Sequence, residues 1–135
     1  MSEEGAMSVL ADDLRYLQER GVIASAWLPG MLGEWSDSRG SVYRPRVEFG
    51  GYPGPWAARR DARIVTDDPA TTGCLAALAR EAWGDPTLSA ECWAVLGAQE
   101  WTVTGCDGHQ HSREATEPAA WAAALHARAE QERVP

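Results

Sequence analysis

The chain has 135 residues and a formal net charge of −8, with 44% hydrophobic and 24% charged residues. That length and composition suit one globular domain, which buries enough surface to fold with no metal or disulfide. The acidity argues against general nucleic-acid binding, which calls for a basic footprint, and no stretch approaches the roughly 18 apolar residues of a membrane span.

Lysine and asparagine are absent, isoleucine occurs only at Ile23 and Ile64, and alanine, glycine, arginine and tryptophan are abundant. A very GC-rich genome accounts for this bias, so the all-arginine basic set is not by itself a choice of planar phosphate-binding groups. With no lysine, Schiff-base and lysine-base chemistry is excluded. Three cysteines, Cys74, Cys92 and Cys106, make an odd number. The first residues are acidic where a secretory signal would be basic. A reducing bacterial cytoplasm with free thiols is the expected setting.

Taken in chain order, Met7, Leu10, Leu14 and Leu17 recur at helical spacing and predict a first helix. Asp12 and Asp13 lie near its start, Arg20 in its last turn, and Gly21 supplies the stop. From Val22 to Trp35 the apolar chain is broken by Pro29, Gly30 and Gly33 and reads as an ordered loop with a short strand at Val22–Ala26. Ser36 to Gly40 is turn material. Val42 to Phe49 alternates, with Tyr43, Val47 and Phe49 on one side and Arg44, Arg46 and Glu48 on the other. Pro45 makes it an edge strand, because proline cannot donate to a ladder.

Gly50 to Trp56 is a glycine- and proline-rich loop, followed by a strand at Ala62–Thr66. Asp68 as cap and Pro69 at the first helical position open a second helix, which Gly84-Asp85-Pro86 ends. Cys92–Leu96 and Glu100–Thr104 read as a hairpin around Gly97-Ala98-Gln99, with Trp93 and Trp101 expected to pair across strands and face the core. Cys106–Ser112 reads as a polar loop. A third helix starts at Thr116-Glu117-Pro118, carries Trp121 and Leu125, and is expected to fray from Glu130. The expected fold class is α+β, a small antiparallel sheet with about three packed helices in a single domain spanning 1–135.

The stretch from Asp68-Pro69-Ala70-Thr71-Thr72-Gly73-Cys74 through Arg80-Glu81-Ala82-Trp83-Gly84-Asp85-Pro86 resembles a segment of small α+β proteins encoded by phages and prophages of GC-rich bacteria. In those proteins too, a tryptophan-bearing hairpin and an alanine-rich C-terminal helix follow. The resemblance covers residues 64–130 and brings no catalytic residues to map. It implies a phage-borne setting in which a small acidic protein binds a host protein, components of host defence included.

Two constellations remain. Cys106, His109 and His111 are close enough in sequence to offer three zinc ligands, with Cys92 or Glu114 as a fourth. The plainer reading is a polar loop that happens to contain histidines, since no Cys-x-x-Cys pair is present. A Cys–His nucleophile pair would lack an orienting third group. His126 reads as a surface or partly buried helix residue. Between Arg39 and Arg63, six arginines stand against only Glu48 and Asp61, interleaved with Tyr43, Phe49, Tyr52 and Trp56. Arginines and rings on a loop suit recognition of phosphate, nucleobase or an acidic protein surface. Arg44, Arg46, Tyr52, Trp56, Arg59 and Arg60 are the candidate partner-binding residues. The alternative is the solvated face of an edge strand with its rings on the rim of the core. Of the tryptophans, Trp83, Trp93, Trp101 and Trp121 are expected inside, and Trp27, Trp35 and Trp56 in loops.

No phosphate loop, His-Glu-x-x-His, Gly-x-Ser-x-Gly or dinucleotide fingerprint occurs. The expected function is therefore a non-enzymatic, cofactor-free binding protein that docks on a host protein and inhibits it. The alternatives are a nucleotide-like small-molecule binder and a minor virion component.

Overall fold

The computed structural model describes residues 3–48 and 54–134, so Phe49 and Tyr52 lie outside the described residues. Three helices pack with two antiparallel sheets, an α+β arrangement. In chain order the elements are α1 (Glu3–Glu19), β1 (Gly33–Ser36), β2 (Val42–Tyr43), a single 3-10 turn at Pro55–Ala58, β3 (Arg63–Ile64), α2 (Pro69–Trp83), β4 (Ser89–Val95), β5 (Ala98–Thr104), β6 (Gln110–Glu114) and α3 (Glu117–Arg133). The first sheet has the order β2-β1-β3 and the second β4-β5-β6. None of the described helices is long and apolar enough to cross a membrane.

The apolar stripe of α1 buries Leu10, Leu14 and Leu17. α3 touches α1, α2 and all three strands of the second sheet, and α1 also packs on β3. One core results, with Trp121, Met31, Ile64, Leu75, Leu78, Leu88, Leu125 and Val103 fully buried. α2 follows its sequence signals. Asp68 caps it by accepting from the Thr71 N–H, Pro69 opens it, and Gly84 closes it at φ 62, in the left-handed region.

Several expectations are corrected. The segment from Val22 to Trp35, read as a loop with a short strand at Val22–Ala26, has no strand there and instead leads into β1, the central strand of the first sheet. The strand expected over Val42–Phe49 is regular only at Val42–Tyr43. Beyond Pro45 it continues as single contacts: Gly33 N–H to Pro45 O, a bridge between Leu32 and Arg46, and Val47 N–H to Met31 O. The strand around Ala62–Thr66 shortens to Arg63–Ile64. The hairpin turn is Leu96-Gly97, with φ of 50 and 84, so the strands run longer than the Gly97-Ala98-Gln99 turn would allow.

That register puts Trp93 opposite Glu100 and Trp101 opposite Cys92, so the indoles lie on opposite faces. Trp93 is 53% exposed rather than in the core. Part of the expected polar loop, from Gln110, is the third strand, β6. α3 persists to Arg133 instead of fraying, because Arg133 reaches Asp13 at 3.2 Å and Glu130 at 2.6 Å. Asp13 is not a dipole residue at a helix start. It is a buried carboxylate in mid-helix, 2.8 Å from Nδ1 of His126 and bonded to Arg133, and it ties α1 to α3.

Candidate surface on the first sheet

The candidate arginines converge on β1 and its neighbours, where this molecule supplies most of them with carboxylates. Glu34, buried on β1, accepts from Nε of Arg44 at 2.8 Å and from Arg63 at 2.5 Å. Asp68 accepts from both terminal nitrogens of Arg46, and Arg46 also donates to Gly30 O at 2.7 Å. Asp61 takes Arg59 through two bonds of 2.8 and 2.9 Å. The Asp68 and Asp61 pairs hold their acids in the charged form. Arg46 drives Asp68 down to about 2, and Arg59 lowers Asp61. Among the described residues no carboxylate pairs with Arg39 or Arg60.

The excess positive charge seen along the sequence is therefore largely cancelled in space, because Glu34 pairs with Arg44 and Arg63, and Asp68 with Arg46. Folding brings in distant acids that a window of neighbouring residues omits.

The rings sort into two groups. Trp56 lies against Trp27 edge-on, with centroids 4.8 Å apart, and covers Gly33 so closely that a Cβ there would meet its ring at 2.5 and 2.8 Å. Trp27 is buried and Trp56 partly so. Both rings are chiefly packing, and the candidate role of Trp56 narrows to one wall of a surface cleft. Trp35 and Tyr43, in contrast, are a cross-strand pair stacked at 4.4 Å with planes 21° apart. The guanidinium of Arg59 sits 4.2 Å over Trp35, closing a Tyr43–Trp35–Arg59 stack. Asp37 accepts from the Tyr43 hydroxyl at 3.1 Å and from the Arg39 and Ser41 N–H groups, the Ser41 bond chiefly lowering its pKa.

The stack remains open to water on one side. Tyr43 is 44% exposed, and Trp35, Pro55, Trp56 and Arg59 line an open cleft of about 390 Å³ beside it. Sequence reasoning placed Arg59 and Arg60 here but missed Trp35 and Tyr43 as the centre. Their spacing across the Ser36–Gly40 turn, with β-formers on both sides, was the available signal.

The cysteine–histidine motif is only partly assembled. His109 and His111 rings meet at 4.6 Å, and His111 also lies 4.1 Å from Trp83. Burial lowers the His111 pKa. Cys106 is exposed, and among the described residues no three His, Cys, Asp or Glu side chains gather as a metal site. No protein-family model, curated protein or solved structure matches the chain.

Proposed function

We propose that the chain is a non-enzymatic accessory protein of phage or prophage type that acts by docking on a host protein. The docking face is centred on Trp35, Tyr43 and Arg59, with Arg60 beside them, while Val42 and Arg44 alternate to the other side of the strand. Blocking a bacterial defence component is the role that fits the resemblance of residues 64–130.

The observation that carries this reading is the half-exposed Tyr43–Trp35–Arg59 stack. Arginine and large rings dominate binding energy at protein interfaces. Here Asp61 pairs with Arg59 and Asp37 with the Tyr43 hydroxyl before any partner arrives, which lowers the entropy lost on association. The internal carboxylates favour a protein surface of mixed polarity over a polyanion or nucleotide, which would have to displace Asp61 or Glu34 from its arginine.

A photo-crosslinking residue in place of Arg60, expressed in the host, tests the reading. One dominant host protein should be captured there and not by the same group placed at Asp107, far along the chain in the loop before β6. Equal capture at both positions would speak against this face. Stabilisation by nucleotides in a thermal-shift screen would instead support small-molecule binding.

A further inference from the structure

The second sheet has two edges, and the chain treats them differently. β6 carries Arg113 and Glu114 and meets β5 through an irregular register at Val103–Thr104. Charge and irregularity are what keep an edge from pairing with another strand. β4, at the opposite edge, runs seven residues in unbroken register with β5. Glu91 is its one charge, and Cys92, Trp93 and Ala94 are exposed. Among the described residues none of the usual protections is present.

The two-residue Leu96-Gly97 turn fixes which backbone groups are spare. Val95 and Ala98 flank it as a hydrogen-bonded pair, and alternation turns the N–H and C=O of Ser89, Glu91 and Trp93 towards β5. Those of Ala90, Cys92 and Ala94 point out of the sheet.

We propose that β4 pairs antiparallel with β4 of a second copy about a two-fold axis at Cys92, joining the two second sheets into one. A two-fold contact requires a self-complementary strand, and this register satisfies three conditions together. Cys92 is the midpoint of Ser89–Val95, so the whole strand is paired. Every outward-facing residue finds a partner, Ala90 with Ala94 of the second copy and Cys92 with its counterpart. Glu91 faces Trp93 of the second copy, so no carboxylate meets its own image. An axis at Glu91 would oppose two carboxylates, and one at Trp93 would leave Ala90 beyond the end of the second strand. The axis is perpendicular to the sheet, so both α3 helices lie on one side and both Trp93 rings on the other. This surface is separate from the Trp35 face, and either proposal stands without the other.

Light scattering over a dilution series of the full chain should give twice the 14.6 kDa chain mass. Cys92→Pro removes only an outward N–H, leaves the β4–β5 ladder intact, and should yield a monomer with unchanged circular dichroism. On the solvent face, Trp93→Glu sets like charges opposite each other twice and should weaken the dimer roughly ten-fold, whereas Trp93→Arg should not. In a Cys74→Ser/Cys106→Ser background, a thiol-bridging bimane should join two chains through Cys92. A monomer at every concentration, or a dimer unmoved by both Cys92→Pro and Trp93→Glu, would overturn the proposal.

Discussion

Arg46 closes a bidentate pair on Asp68 at 2.8 and 3.0 Å while Asp68 also caps α2 through the N–H and hydroxyl of Thr71. One carboxylate thus joins the irregular end of the second strand to the start of a helix. Thr71, fully buried, passes the connection on by accepting from the Leu32 N–H at 2.9 Å. An arginine that sequence reasoning assigned to partner binding is here part of the frame that holds β1 in place.

Removing this carboxylate is expected to be costly. Asp68→Ala loses the cap and leaves the Thr71 groups short of an acceptor, a loss of roughly 1–3 kcal/mol. Asp68→Asn, which keeps a capping oxygen, should lose less. Urea unfolding monitored by circular dichroism measures both.

The same residue sets an acid-sensitive window. Its folded pKa, about 2, lies below the ordinary 3.8, so the folded state favours the ionised form. The stabilisation is fully present above the unfolded value and is lost as pH falls through about 4 towards 2. Asp68→Asn should flatten the fall in stability over that window. A fall as steep as in the unsubstituted chain would show that other acids control it.

Gly33 owes its identity to Trp56. Gly33→Ala drives a Cβ into a ring already packed edge-on against Trp27, and is expected to cost roughly 1–3 kcal/mol. Trp56→Leu in the same chain should recover part of the loss by vacating the space. A double-mutant cycle on unfolding free energies reads the coupling.

Leu96 occupies a left-handed conformation with its side chain wholly exposed, where a branched apolar residue gains nothing from packing. Leu96→Asn should stabilise the hairpin by roughly 0.5–1 kcal/mol. Thermal unfolding of the two chains under identical conditions decides it.

Much of the architecture was legible because its signals are local. The apolar stripe of α1, the Asp68-Pro69 start and Gly84 stop of α2, and the Thr116-Glu117-Pro118 start of α3 each lie within a few residues. β1 was hidden because Gly33 and Pro29 read as breakers, whereas Gly33 is there to let Trp56 approach. β6 was hidden because His, Ser and Arg carry little strand preference and are ordered by pairing with β5. The arginine cluster was legible as a list, but its carboxylates, Glu34 and Asp68, come from other elements. For the same reason the sequence could show neither the contact of buried Asp13 with His126 nor the exposure of Trp93, which depends on where a two-residue turn falls.

The central claim is that the Trp35–Tyr43 stack is the host-facing surface. Quantitative capture of the crosslinked host protein by the folded Trp35→Ala/Tyr43→Ala double variant, against the unsubstituted chain, tests it most directly. Affinity is expected to drop at least roughly ten-fold with circular dichroism unchanged, the size of loss that truncating buried aromatic anchors produces. Undiminished capture by the folded double variant would contradict it.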